Sequence, residues 1–172
     1  GVDEVAFANQ LPLNGCCMST AIYPEGRTMD MSTSQRTSLM AISAGYVRAM
    51  RIPRRSGRVL TDHDRSVKPI FVVINQAAAK RYWGEESPVG SYGRFGNPAG
   101  DRFQVIGVVG DVKNDALGSP TVPEVYIPSF IPRVETMNFV VRSTRPAASL
   151  LADIRRVVRS IDPEQPIHEV AT

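Results

Sequence analysis

Four groups of residues are candidates to act on a ligand. Asp62-His63-Asp64 offers two carboxylates and an imidazole in consecutive positions, enough donors by number for a metal ion. Three neighbours in a row rarely converge on one ion, and the second histidine, His168, stands near the far end of the chain. The triplet therefore reads as a solvated loop. Gly90, Gly93 and Gly96 have the density of a phosphate-cradling loop. No Gly-Lys-Ser/Thr follows, and the run leads into a strand instead of a helix, so a hairpin-type loop is expected without nucleotide-binding machinery. Cys16 and Cys17 are adjacent; a disulfide between them would strain the intervening peptide, and the Cys-x-x-Cys spacing of redox or zinc sites is absent. Neither histidine stands beside a Gly-x-Ser-x-Gly elbow, so no nucleophilic triad is expected.

The fourth group is different in kind. Arg48, Arg51, Arg54, Arg55 and Arg58 form the densest basic stretch, with no acidic residue among them. Such a surface suits anionic lipid headgroups or an acidic partner. Nucleic acid is not expected, because only Tyr46 offers a nearby ring for stacking and a net charge of +3 is modest. The sequence thus predicts no enzyme, no cofactor and no metal, with these five arginines as the candidate contact surface.

The elements that must position these residues follow from pattern. An apolar fraction of 42% with 22% charged residues is ordinary for a globular chain of 172 residues. No apolar run reaches the roughly 20 residues needed to cross a bilayer, and no secretory leader is recognisable. The opening Gly-Val-Asp-Glu lacks a Met, so the chain reads as a piece of a longer protein. Val2, Val5 and Phe7 suggest a first strand ending near Leu11-Pro12, and residues 14–36 read as a loop with at most a short strand. Ser43 is placed as the cap of a short helix through Tyr46, Val47 and Met50, ended by Pro53. Residues 70–74 are a continuous apolar run, the mark of a strand buried on both faces. Asn75 then caps a helix whose face is Ala78, Ala79, Tyr82 and Trp83, closed by Gly84; the two aromatics are read as core. Residues 103–109 form a second strong strand, with Gly107 and Gly110 as bulge or close-approach sites. Residues 125–127, bracketed by Pro123 and Pro128, are expected at a sheet edge, and residues 137–141 form another strand. Pro146 opens the longest helix, with an apolar stripe of Leu150, Leu151, Ile154, Val157, Val158 and Ile161. Asp162-Pro163 stops it before a last strand over 167–170, completing a strand–helix–strand unit.

In order, these motifs resemble one family. Ser43-x-Gly45-Tyr46-Val47-Arg48-Ala49-Met50-x-Ile52-Pro53 is similar to the SPGYFRAMGIP signature of MacB-like periplasmic core domains in MacB/FtsX-type ABC-transporter permeases. Gly57-Arg58 with Thr61-Asp62-x-Asp64 resembles its GRxFTxxD continuation. Val73-Ile74-Asn75-Gln76-Ala77, Arg81-Tyr82-Trp83 and Ser87-Pro88-Val89-Gly90 resemble the next stretch. Val105 to Lys113 resembles VVGVVGDVR, and Pro123 to Pro128 resembles PEVYVP. The helix exit at Ile161-Asp162-Pro163 also corresponds, and the wording is most like duplicated permeases of acidobacteria. The chain departs from the pattern at Arg51, where the family usually has Gly, and at Arg54 and Arg55, where it has apolar residues. Arg145 and Ser91 likewise replace a capping Asp and a Lys.

The resemblance implies an α+β fold: a porter-like lobe of split βαβ units (approximately 1–40 and 120–172) with a smaller inserted β-rich lobe (41–119). It implies an extracytoplasmic location in an inner-membrane protein. The expected partners are the permease's transmembrane helices, a cytoplasmic ATPase domain or subunit and a periplasmic protein, in a dimeric parent. The implied work is efflux or mechanotransmission driven from the cytoplasm. The alternative is an extracytoplasmic small-molecule or peptide-binding domain with a pocket between lobes.

Overall fold

The computed structural model describes residues 1–13, 18–27, 37–66, 68–113, 118, 120–129 and 137–171. Cys16, Cys17 and much of the expected loop over 14–36 lie outside the described residues. In chain order the elements are β1 (Val2–Ala8), β2 (Ser19–Thr20), β3 (Ile22–Pro24), β4 (Thr37–Ile42), α1 (Tyr46–Ala49) and β5 (Arg54–Gly57). A 3-10 turn over Asp62–Ser66 precedes β6 (Ile70–Asn75), α2 (Gln76–Trp83), β7 (Tyr92–Phe95), β8 (Arg102–Val109), β9 (Glu124–Pro128), β10 (Asn138–Ser143) and α3 (Ala147–Ile161).

The described strands form one mixed sheet in the order β10-β1-β4-β9-β6-β8-β7-β3, with β2 beside β4 and β5 beside β8. β4 with β9 and β6 with β8 are parallel. Of these four central strands β6 is the continuous apolar run of the sequence, and all four place apolar side chains on both faces because each has a layer on either side. Successive side chains alternate between the layers. Met40, Ile42, Val73, Val109 and Tyr126 face α1, together with Tyr46, Val47 and Ala49. Ala41, Val72, Ile74, Phe103, Val105, Val125 and Ile127 face α2, together with Ala78, Tyr82 and Trp83.

Asn75 ties the centre together with one side chain. Its Oδ1 accepts from the Ala78 N–H (2.8 Å) as the α2 cap and from the Glu124 N–H (2.9 Å), while its Nδ2 donates to the Val122 carbonyl (2.9 Å). The buried Glu124 carboxylate in turn accepts from the Tyr126 hydroxyl at 2.7 Å. Burial first, and then the charge of Glu124, push the Tyr126 and Tyr46 hydroxyls above the usual tyrosine range.

The glycines behave as the strand pattern requires. Val72 pairs with Val105 but Val73 pairs with Gly107, leaving Ile106 as the extra residue of a bulge. A Cβ on Gly107 would lie 2.0 Å from the Arg58 carbonyl oxygen, so only glycine lets the chain following β5 approach β8.

Several expectations are corrected. β9 is central and wholly buried; its prolines fall at the strand's ends, where a missing N–H interrupts no interior rung. Ser43 does not cap α1, which has no side-chain cap; its hydroxyl accepts from the Phe7 N–H at 3.0 Å and fastens β1. In β1 the buried side chains are the small Ala6 and Ala8, while Val5 is exposed. Small residues are needed there because α1 crosses closely: a Cβ on Gly45 would meet the Val5 carbonyl oxygen at 3.0 Å. No strand forms over 167–170. Glu169 takes a left-handed backbone (φ 48°), which breaks an extended run, and Pro166 removes a donor. α3 therefore follows β10 without a returning strand among the described residues.

Candidate functional site

The arginine stretch is shaped by how α1 ends. Its C-terminus is a Schellman turn: the Ile52 N–H bonds to the Val47 carbonyl (3.0 Å) and the Arg51 N–H to the Arg48 carbonyl (3.0 Å). Val47 and Ile52 pack into the same core, supplying the apolar contact that accompanies the motif. The residue between them and the helix must be left-handed, and Arg51 has φ 54°. Glycine occupies this position at least cost; here an arginine does. Arg142 of β10 donates twice to the Ala49 carbonyl (3.1 and 2.6 Å), holding the helix end from the neighbouring strand.

Past this turn the chain folds back along β8, and the corner encloses an open groove of about 440 Å³. Val47, Ile52 and Val59 supply its apolar lining, Arg48, Arg51, Arg54 and Arg58 its charge, and Thr61 one further wall. Four of the five arginines singled out from sequence are thus brought together. The fifth, Arg55, is not: its Nε donates to Gln76 Oε1 (3.0 Å) at the start of α2.

The four guanidinium groups differ in how they are matched. Arg58 grips Asp64 through two bonds of 2.7 and 2.8 Å, and the Thr61 N–H and hydroxyl donate to the same carboxylate. The Arg58 hydrogen bond, foremost, holds the Asp64 carboxyl below its usual range, with the Thr61 bonds adding to it against the opposing effect of burial. The Arg58 guanidinium also lies over the Phe71 ring, 5.3 Å from its centroid. Arg48 donates to Glu4 Oε1 at 2.9 Å. Arg54 donates to the Gly57 carbonyl at 2.9 Å, and neither it nor Arg51 forms an ion pair among the described residues. Among the described residues the groove accordingly keeps two cations without an ion pair, on an apolar bed.

Other candidates are placed elsewhere. Asp62 pairs with Arg65 (3.0 Å), Asp64 is taken by Arg58, and among the described residues no three His, Cys, Asp or Glu side chains converge as a metal site. Gly90 precedes β7, Gly93 lies within it opposite Phe103, whose ring packs against it, and Gly96 opens the β7–β8 turn. Tyr82 and Trp83 are core. Sequence reasoning missed Val47, Ile52 and Val59 as lining, and Glu4 and Asp64 as counter-charges. Thr61-x-x-Asp64 is a local signal for a carboxylate folded back on its own loop; Glu4 has no signal near the arginines.

The chain matches the family model described as MacB-like periplasmic core domain over residues 9–161. No curated protein sequence matches it. Among solved structures it is similar to the periplasmic region of MacB from Actinobacillus actinomycetemcomitans, with 18% identity, 93% of this chain and 67% of that one covered, and a TM-score of 0.64. It is also similar to the extracellular domain of the noncanonic ABC-type transporter YknZ from Gram-positive bacteria, with 20% identity, 100% and 82% coverage, and a TM-score of 0.64. No helix among the described residues is long and apolar enough to cross a membrane. With its family match spanning most of the sequence and the same α+β architecture in both structures, the chain belongs to the MacB-like periplasmic core domains of ABC-transporter permeases.

Proposed function

We propose that this domain is a non-catalytic coupling module, moved by ATP hydrolysis in a cytoplasmic ATPase and acting on an extracytoplasmic partner or substrate. The family match over residues 9–161 carries this reading. Efflux and mechanotransmission are its two forms, in a dimeric parent whose transmembrane helices transmit the motion. The lobes are taken as residues 1–40 with 120–172, and 41–119. This division is bridged by β6 against β9 and β3 against β7, by α1 on β1 and β10, and by apolar clusters that draw on both ranges.

The arginine groove is the contact surface of this module. It is open rather than enclosed, which favours a segment of a larger partner over a buried small molecule. The test is twofold. The isolated chain is incubated with ATP and with divalent metals, and no nucleotide turnover and no retained metal are expected. The full permease with its ATPase, carrying Arg51→Gly together with Arg54→Gln, is expected to keep basal ATP hydrolysis while losing its extracytoplasmic output. Turnover by the isolated chain, or an unaltered output, contradicts the reading.

A further inference from the structure

The groove also indicates what kind of partner it takes, an inference that rests on the contact-surface reading above. We infer that it binds an acidic peptide segment of a protein partner, with carboxylates on Arg51 and Arg54 and an apolar side chain on Val47, Ile52 and Val59. Three observations point there. The first is charge: Arg48 and Arg58 are already matched by Glu4 and Asp64, whereas Arg51 and Arg54 are not matched by any described carboxylate. Two separated cations suit two carboxylates of one peptide chain better than a single point charge.

The second is the backbone. Arg51 occupies the left-handed position of a Schellman turn, where a side chain is strained and glycine is not. Strain kept at a surface position, with a guanidinium that pairs with no described carboxylate, points to function over stability. The third separates peptide from membrane. The groove is concave, and none of the exposed large apolar residues (Val2, Val5, Leu13, Met18, Val89, Met137, Phe139, Val157, Ile161 and Val170) lines it. Nothing at its rim would insert between lipid headgroups, whereas a volume of about 440 Å³ admits a few side chains.

The experiment measures fluorescence anisotropy of a labelled Gly-Glu-Leu-Glu-Leu-Glu-Gly peptide with the 172-residue chain, and compares it with a Gln-for-Glu peptide, a Ser-for-Leu peptide and phosphatidylglycerol vesicles. The acidic apolar peptide is expected to bind in a salt-sensitive way, and both altered peptides more weakly. Arg51→Gly and Arg54→Gln are each expected to weaken binding about fivefold, with the thermal midpoint of Arg51→Gly unchanged or raised. Arg55→Gln, whose side chain lies outside the groove, is the internal control and should leave binding unchanged.

Equal losses from Arg54→Gln and Arg55→Gln would reduce the effect to diffuse charge and overturn the inference. So would binding to vesicles without binding to peptide, or no binding to either. Those failures leave the coupling reading standing, since it is tested by nucleotide turnover and by output of the full permease.

Discussion

The centre of the sheet and its β1–β10–α3 end use the same apolar residue types to different purpose. In the centre Val72, Val73, Ile74, Phe103, Val105, Val125 and Tyr126 are inaccessible. At the end Val5 and Phe139 are 54% and 62% exposed, and Ile161 is 80% exposed. α3 buries none of its residues, although its apolar stripe is as regular as any in the chain. Periodicity reports which face of an element seeks a partner. It does not report whether a neighbouring element of the same chain covers that face. In the centre, β6, β8 and β9 have layers on both sides; around β10 and α3, Phe139, Val157 and Ile161 are exposed and Val140, Leu150, Leu151, Ile154 and Val158 are only half-buried.

Single substitutions should expose that contrast. The largest effect belongs to Phe103→Ala, which empties a fully buried site stacked on Phe95 and Gly93. It is expected to cost about 3–5 kcal/mol, read as a drop in urea midpoint or outright loss of the folded state. Phe139→Ala at the open end is expected to cost below about 1 kcal/mol; equal losses at the two sites would erase the comparison.

Gly107→Ala comes next. The clash with the Arg58 carbonyl must push the β5 corner away from β8, at a cost of about 2–3 kcal/mol. Hydrogen exchange should show faster opening of residues 54–58 with the α2 side of the core still protected.

Asp64→Asn follows, at about 2 kcal/mol near neutral pH, because it removes charge-assisted bonds to Arg58 and Thr61. Since the folded Asp64 carboxyl titrates below its unfolded value, its contribution is complete above the ordinary carboxylate range. It is lost as pH falls through the lowered folded value. Urea midpoints measured from neutral to acid pH should therefore decline less steeply in the variant than in the parent chain.

The last effect has the opposite sign. Arg51→Gly should stabilise the domain by about 1 kcal/mol by relieving the left-handed backbone, seen as a raised thermal midpoint. A lowered midpoint would mean that Arg51 serves the fold and not a ligand.

What was legible in the sequence divides along the same line. The β6–Asn75–α2–Gly84 unit could be read because strand, cap, helix face and stop are all local signals. The close approach at Gly107 was marked by a glycine within an apolar strand. The central place of β9 was not legible: its bracketing prolines argue for an edge, and only long-range pairing with β4 and β6 overrides them. The last strand failed for a conformational reason, at Glu169, that no pattern of apolar residues encodes. For the groove, the arginines were evident but their inequality was not. Glu4 meets Arg48 only because β1 packs beside α1, and Arg55 parts from Arg54 because successive strand residues face opposite ways.

The central claim is that the domain works by changing position and not by chemistry. Its most direct test is a spin-label distance measurement in the full permease with its ATPase, after Cys16 and Cys17 are replaced by serine. Labels at the exposed positions Asn97 and Glu85 of one copy report the interior of the domain, and labels at Asn97 of two copies report its placement. On ATP binding the first distance is expected to stay fixed while the second shifts by several ångströms, on the order of the interface displacements seen in switching proteins. An unchanged second distance in a preparation that hydrolyses ATP would contradict the account.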